Sequence, residues 1–249
     1  MRPGNAVAVA AGAGLAASVA AAGYWGVAAA VTRPGRRLLD GRLLLCSVPT
    51  DKPLLALTFD DGPDPSVTER FLAALDAAPC TFFALGIRVR RAPRLAAEIV
   101  ASGHELACHG DTHQSLASLP PAATAAALRR AHDSITEACG QPPRFYRPAY
   151  GVFNLAGWAV APRLGMRRTL WSAWARDWEQ RATPALITAR ILAAAEPGAI
   201  LLLHDADGSP GAPERTLTAL PLILNGLRER GLRTVTLTEL VAAEDESGR

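Results

Sequence analysis

From about residue 50 onward, short apolar runs alternate with longer Ala- and Leu-rich stretches in which apolar residues recur with helical period. Apolar runs of this length are typical of buried strands, and the stretches between them are long enough for crossover helices. The predicted strands are at 54–59, 80–85, 104–108, 144–147, 167–171, 199–204 and 233–237. The predicted helices are at about 66–77, 93–102, 120–139, 154–164, 183–195 and 215–230. The pattern therefore predicts an α/β fold with about seven parallel strands, close to a barrel.

The chain shows no internal repeat or low-complexity linker after its amino-terminal part. With 249 residues, of which 49% are hydrophobic and 20% charged, it can bury one sizeable core. We predict a boundary in the basic stretch "TRPGRR", with an appendage at 1–35 and one domain at 50–243. The last six residues, "EDESGR", are expected to fray.

Residues 6–31 are uncharged and exceed the roughly 20 residues that a helix needs to cross a bilayer. A retained membrane anchor and a cleaved export signal both fit this segment, as does an Ala-rich surface helix, because Ala and Gly contribute little hydrophobicity. Only Arg2 precedes the segment, whereas several arginines follow it, which taken literally favours a cytoplasmic catalytic side. The orientation that these charges favour conflicts with the extracytoplasmic location expected from the motifs of the domain.

Net charge and cysteine spacing exclude two classes of function. The formal charge is only +3, the arginines are scattered and aromatic residues make up 6% of the chain, so no nucleic-acid partner is expected. The four cysteines lack any C-x-x-C spacing, which argues against a zinc knuckle or a redox motif. They allow two disulfides but fit equally well as small buried hydrophobic residues.

Polar side chains follow several predicted strands. Asp60 and Asp61 end the first strand in "DDGP", which is also ordinary turn chemistry. His109 and His113 follow the third strand four residues apart, a spacing that places two imidazoles on one side of a helical turn. A surface pair of this kind often has no function, but all parallel strands deliver their carboxyl ends to one face. Two histidines and one carboxylate there predict a catalytic metal site with open positions.

Three further strand ends carry candidate side chains. Arg147 ends the fourth strand, and His204 ends the sixth. Asp177 and Trp178 follow the fifth strand in "WSAWARDWEQ". A Trp beside an acid in a loop is better explained as a wall of a sugar pocket than as core.

Five motifs in order, "TFDDGP", "HGDTH", "RPAYG", "RDW" and "LLLHD", resemble those of the polysaccharide deacetylases of the NodB-homology type, carbohydrate esterase family 4. The resemblance covers residues 54–240 and implies a distorted (β/α) barrel. It also implies that Asp61, His109 and His113 bind a divalent metal, most readily Zn²⁺ with Co²⁺ as another option. Asp60 would be the general base, and Arg147 would hold that base in place.

The same resemblance assigns the remaining roles. His204 would be the general acid and Asp177 would tune it. The backbone amide of Tyr150 would help to bind the oxyanion, and Trp178 and Leu202 would line the pocket for the acetyl methyl group. The chain departs from the family pattern at Gly110, Ala149 and Trp174, where Ser or Thr, Pro and Asp are common. These departures affect the expected substrate preference more than the expected activity.

The sequence thus predicts a metal-dependent hydrolase that removes N-acetyl groups from amino sugars of a cell-envelope or chitin-like polysaccharide. Its expected location is extracytoplasmic, either membrane-anchored through residues 6–31 or secreted. Three alternatives stay open: a deformylase or deacetylase of a lipid-linked amino sugar, a cyclic amide hydrolase, and a non-catalytic carbohydrate-binding protein on the same scaffold.

Overall fold

The computed structural model describes residues 41, 43–206 and 211–247. It contains eight strands, β1 (Leu54–Asp60), β2 (Thr81–Leu85), β3 (Glu105–Gly110), β4 (Phe145–Tyr146), β5 (Arg167–Arg168), β6 (Ala173–Trp174), β7 (Ile200–His204) and β8 (Arg233–Thr234). All strand pairs are parallel, in the order β5-β4-β3-β2-β1-β7-β6, with β8 beside β1. The prediction of an α/β barrel of parallel strands is confirmed.

Helices connect these strands. They are α1 (Thr68–Leu75), α2 (Gly86–Arg91), α3 (Pro93–Ala101), α4 (Pro121–Cys139), α5 (Leu155–Arg163), α6 (Pro184–Ala193), α7 (Ala212–Glu229) and α8 (Leu237–Ser247). Two 3₁₀ turns lie at Leu116–Ser118 and Ala149–Gly151. All helices except α2 and α8 correspond to predicted ones, with ends that differ by a few residues.

The central strands are buried because both faces of the sheet are covered. All seven residues of β1, "LLALTFD", are buried, and so are all five of β2. A strand buried on both faces carries a continuous apolar run instead of alternating polar and apolar residues. This is why the apolar runs of the sequence locate these strands well.

The barrel is distorted where its two end strands, β5 and β6, lie. Residues just before β1 bridge this region: Leu45 pairs with Thr169 beyond β5, and Ser47 pairs with Ala199 before β7. The apolar side chains of Leu44, Leu45 and Val48 are buried in the core. The segment 44–48 therefore packs with the sheet; it follows the boundary predicted in "TRPGRR" and lies just before residue 50, where the domain was predicted to start.

The carboxyl-terminal prediction was wrong in part. The predicted strand 233–237 ends at Thr234, and Leu237 begins α8, which runs to Ser247 within the tail expected to fray. A capping box starts this helix, because Thr236 Oγ1 accepts from the Glu239 amide at 3.2 Å while Glu239 Oε2 accepts from the Thr236 amide at 2.8 Å. Leu240 then packs its side chain into the core.

Two further elements were missed. The predicted strand 167–171 is confined to Arg167–Arg168, and β6 follows it as a separate strand of two residues. Helix α2 has only six residues and begins at Gly86, a residue that usually interrupts helices. Its position requires glycine, because a Cβ atom there would lie 2.8 Å from the Ala131 Cα of α4.

Among the described residues, no helix is long and apolar enough to cross a membrane. The predicted anchor or signal segment at 6–31 lies outside the described residues. All four cysteines have free thiols, and three of them, Cys46, Cys80 and Cys108, are buried as small hydrophobic residues.

Candidate active site

The carboxyl ends of β1, β3 and β7 meet at one rim of the barrel around a cavity of about 380 Å³. Its walls hold carboxylates, imidazoles and indole rings. The lining residues are Asp60, Asp61, His109, His113, Tyr150, Gly151, Trp171, Trp174, Trp178, Leu202, His204 and Ala212.

Asp61, His109 and His113 form a cluster whose potential ligand atoms all lie within 4.8 Å of one another. Asp61 Oδ1 lies 3.4 Å from His109 Nε2 and 3.3 Å from His113 Nε2. This oxygen is buried and accepts no hydrogen bond in the structure. A buried carboxylate oxygen without a donor is costly unless a cation binds it. The cluster therefore fits a divalent metal with open coordination positions.

The backbone fixes which nitrogen of His109 is available to a metal. His109 Nδ1 lies 2.9 Å from the Arg147 carbonyl oxygen, which can only accept a hydrogen bond. The proton of the neutral imidazole is thereby held on Nδ1, and Nε2 keeps its lone pair. A backbone carbonyl that accepts a hydrogen bond from the second ring nitrogen is a usual partner of a metal-binding histidine.

The loop between the two histidines is clamped by Asp111. This carboxylate is buried and lies 2.7 Å from Arg90 Nη1 of α2 and 3.0 Å from Arg130 Nε of α4. Gly110, just before it, has φ +105°, a conformation that residues with a side chain rarely adopt. Gly110 is one of the positions at which the chain departs from the family pattern. The turn that brings His109 and His113 together explains why a glycine is present there.

Asp60 is held by a fully buried arginine. Arg147 Nη1 donates to Asp60 Oδ1 at 2.6 Å and to Thr58 Oγ1 at 2.9 Å, while Nη2 donates to the Leu170 carbonyl at 2.8 Å. The guanidinium carbon also lies 3.9 Å from the centroid of the Phe83 ring. Removing one partner of such a buried pair typically costs about 3–5 kcal/mol. Asp60 is therefore held in one orientation in the cavity.

His204, at the end of the neighbouring strand β7, forms a dyad with Asp177. Asp177 Oδ1 lies 2.8 Å from His204 Nδ1, and Oδ2 accepts from the His204 amide and from Thr216 Oγ1, both at 2.8 Å. Burial alone would lower the pKa of His204, but the negative charge and hydrogen bond of Asp177, with smaller effects of Asp61 and Asp60, raise it to about 9. His204 is therefore protonated at neutral pH.

Asp205 positions the turn that follows the aspartate pair. Its Oδ1 accepts from the Gly62 amide at 3.2 Å and its Oδ2 accepts from Thr68 Oγ1 at 2.7 Å. Burial raises the pKa of Asp205 to about 7. A Cβ atom at Gly62 would collide with this carboxylate, so glycine is needed there. Asp61 itself has φ +83°, a strained conformation that this turn must hold.

Aromatic rings form the far wall. The ring centroids of Trp171 and Trp174 are 5.4 Å apart, those of Trp174 and Trp178 are 5.5 Å apart, and those of Trp178 and His204 are 5.2 Å apart. Tyr150 stands across the cavity, 63% exposed and 4.5 Å from the His113 ring by centroids. Its φ of +60° is again a left-handed conformation at the site.

The structure brings the sequence-predicted site residues together. Eight of them line the cavity, namely Asp60, Asp61, His109, His113, Tyr150, Trp178, Leu202 and His204. Arg147 and Asp177 are fully buried behind it, where each binds one of the lining residues. Sequence reasoning gave no role to Asp111, Asp205 or Thr216. The position of Asp205 directly after His204 was a signal for the second of these, whereas Thr216 carries no local signal.

Comparison with known proteins gives three findings. The family model described as polysaccharide deacetylase matches residues 47–169. A chitooligosaccharide deacetylase of Bradyrhizobium sp. (strain ANU 289) is 36% identical over 197 residues, or 74% of this chain and 89% of the relative. The range matched by the family model includes the aspartate pair and the histidine loop on the rim.

Two solved structures share the fold. A peptidoglycan N-acetylglucosamine deacetylase in complex with 4-naphthalen-1-yl-N-oxidanyl-benzamide superposes with a TM-score of 0.75 and 28% identity, covering 80% of this chain and 93% of that one. A family 4 acetyl xylan esterase from Clostridium thermocellum, in complex with a cobalt ion, has a TM-score of 0.69 and 31% identity, covering 76% and 90%.

Proposed function

This chain belongs to the polysaccharide deacetylase family, and on that premise we propose that it is a metal-dependent hydrolase that removes N-acetyl groups from amino sugars of a polysaccharide. The observation that carries the proposal is that the Asp61, His109 and His113 cluster shares one cavity with Asp60 and His204. A metal site, a base and a protonated acid within one pocket are what amide hydrolysis requires.

Asp61, His109 and His113 would hold the metal. Their one oxygen and two nitrogen ligands suit Zn²⁺, which we propose as the natural ion, and Co²⁺ accepts the same donors. When bound, the ion supplies a Lewis acid that polarises the amide carbonyl and makes the attacking water more acidic. Its positive charge also offsets the repulsion between the adjacent carboxylates of Asp60 and Asp61.

Asp60 would act as the general base. It is next to the ligand Asp61 in the chain but is bound by Arg147 at 2.6 Å instead, so that two neighbouring residues at one strand end serve different functions. Asp60 takes a proton from water as the water oxygen attacks the carbonyl carbon. The buried Arg147 prevents Asp60 from turning away, since it holds the carboxylate by a charged hydrogen bond.

His204 would act as the general acid. The carbon–nitrogen bond of the tetrahedral intermediate breaks, the amine nitrogen takes the proton from His204, and acetate is released. The raised pKa of His204 keeps this proton available at neutral pH. Asp177 fixes the orientation of the ring by accepting at Nδ1, which leaves Nε2 to carry the proton toward the substrate.

The remaining predicted residues would bind the acyl group. Leu202 and Trp178 line the cavity beside His204 and suit an acetyl methyl group. The left-handed conformation of Tyr150 places a turn at the cavity edge, where its backbone amide would donate to the oxyanion. We propose both roles from these positions.

We propose an N-acetylated polymer of the cell envelope, or a chitin-like chain, as the substrate. Such polymers lie outside the cytoplasm, so we place catalysis by the 50–243 domain there, with residues 1–35 as a membrane anchor or export signal. The apolar segment 6–31 would also suit a lipid-linked amino sugar, which remains the alternative substrate.

A release panel tests the proposal. The zinc-loaded enzyme is incubated with N-acetylated chitin oligosaccharides, peptidoglycan fragments, and N-acetyl or N-formyl amino sugars on a lipid carrier, and free acetate and formate are measured. We expect acetate from the saccharides. Formate from the lipid-linked sugar alone would favour the alternative, and tight saccharide binding without any release would indicate a carbohydrate-binding protein.

A further inference from the structure

Trp174 lines a part of the cavity wall for which the proposed reaction has no use, and Arg176 lies beside its ring; we call the two residues the Trp174 face. Trp174 is partly buried, lines the same cavity as His204 and is held by ring contacts with Trp171 and Trp178. A rigid indole at the edge of a polar cavity is a surface on which the apolar face of a pyranose ring stacks.

Arg176 makes this face electropositive. Its guanidinium carbon lies 5.2 Å from the centroid of the Trp174 ring. Its φ of +52° is one that residues other than glycine rarely adopt, so the surrounding loop imposes this backbone position. Because the Arg176 cation already lies beside the Trp174 ring, this aromatic surface repels a second cation.

Among the described residues, the side chains of Arg176, Arg190 and Glu179 carry a net positive charge. Glu179 is bound at 3.3 Å by Arg176 and at 3.0 Å by Arg190, so one carboxylate is shared by two guanidinium groups. The carboxylate of Asp177 is already bound to His204.

Among the residues that the structure describes, the acidic side chains lining the cavity offer no alternative site for a free ammonium group. Asp60 is paired with Arg147, and Asp61 belongs to the cluster that fits a metal. A sugar with a free amine would therefore meet positive charge at the Trp174 face, whereas an N-acetylated sugar is neutral and can stack there.

We infer that the Trp174 face binds the sugar next to the reacting one and selects it as a neutral, N-acetylated residue. The inference rests on the proposed deacetylase function and names the substrate more narrowly: runs of N-acetylated amino sugars, rather than isolated N-acetyl groups among free amines. Each deacetylation then makes its neighbours poorer substrates, because the product amine is protonated at neutral pH.

The test compares two chitin tetrasaccharides, one fully N-acetylated and one in which a single N-acetylated unit is flanked by glucosamine. Acetate release by the zinc-loaded enzyme is measured for wild type, Trp174→Asp, Arg176→Gln and the matched control Trp174→Phe, which keeps an aromatic face. Zinc content is measured for every variant.

We expect wild type and Trp174→Phe to prefer the fully acetylated substrate by about fivefold or more in kcat/KM, the scale of a partly exposed charge interaction, and to show the difference in KM. Trp174→Asp and Arg176→Gln should bring the ratio close to one without loss of zinc. An unchanged ratio in both variants, or no preference in wild type, overturns the inference. Absence of acetate from either substrate refutes the proposed function and the inference with it.

Discussion

The Asp177→Asn substitution probes the proposed acid most sharply, because it removes one charge and keeps the shape of the side chain. In the wild type, Asp177 Oδ2 accepts from the His204 amide and from Thr216. The amide oxygen of an Asn must take that position, since both neighbours donate. Its NH₂ group then faces His204 Nδ1, which becomes an acceptor and places the proton of the neutral ring on Nε2.

The magnitude follows from the pKa of His204. The rise from 6.5 to about 9 occurs against burial, with Asp177 as the largest raising influence. It corresponds to about 3 kcal/mol in favour of the imidazolium. Without the carboxylate, burial should bring the pKa of His204 to its ordinary value or below. At pH 8 about 90% of wild-type molecules would carry the acidic proton, against about 3% of the variant, so kcat/KM should fall about 30-fold.

The assay is the pH profile of kcat/KM, from pH 5 to 10, for the zinc-loaded wild type and variant. The basic limb should move to lower pH by about two units or more in Asp177→Asn, while activities near pH 5.5 stay much closer together. Thr216→Val is the matched control, because it removes a donor to the same carboxylate but keeps the charge. A basic limb that is unchanged in Asp177→Asn would refute the roles of His204 and Asp177.

By raising the pKa of His204, the negative charge of Asp177 also makes the free energy of unfolding depend on pH. The folded pKa of His204 lies above its ordinary value, so the folded state binds more protons than the unfolded state between pH 6.5 and about 9. The contribution is complete below pH 6.5 and is lost as pH rises toward 9. Chemical unfolding of the metal-free wild type should therefore show a loss of about 3 kcal/mol across this window from this group, and Asp177→Asn should show a flatter dependence.

Three further predictions concern the aspartate pair, the loop between His109 and His113, and the amino-terminal segment. Asp61→Ala should lose zinc and activity together, whereas Asp60→Asn should lose most activity but retain zinc, as measured by elemental analysis. Loss of zinc in Asp60→Asn and its retention in Asp61→Ala would contradict the assignment of Asp61 as metal ligand and Asp60 as base. Asp111→Asn should weaken zinc affinity about 10-fold or more in a chelator competition, with an unchanged circular dichroism spectrum; unaltered affinity would show that the clamp is dispensable. The full chain should remain in the membrane fraction after a carbonate wash, and a chain beginning at Arg36 should not; a soluble mature chain lacking 6–31 would instead indicate a cleaved signal.

Local sequence signals predicted the parts of the fold that depend on few residues at a time. The apolar run of β1 locates a strand buried on both faces, and the aspartates that end it locate the rim. The two-residue strand β6 carries no such signal, because its pairing with β7 is set by the whole barrel. The capping box at Thr236 was readable from the sequence, and it marks a helix where a strand was predicted.

In the site, too, the sequence predicted the residues with a local signal and missed those whose role depends on distant contacts. The spacing of His109 and His113 and the motif order bring out the residues that touch the cavity. The residues that hold them depend on contacts between distant parts of the chain: Arg130 reaches Asp111 from α4, and Thr216 reaches Asp177 from α7. Periodicity and spacing along one chain do not report such contacts, so these partners are found only when the fold is known.

The central claim is that one cavity uses a metal held by Asp61, His109 and His113 to release acetate from N-acetylated amino sugars. The most direct measurement follows acetate release from an N-acetylated chitin oligosaccharide together with metal content, before chelation, after chelation and after addition of Zn²⁺ or Co²⁺. We predict that activity disappears as the metal is removed and returns in proportion to about one ion bound per chain. Full activity at zero measured metal would contradict the account.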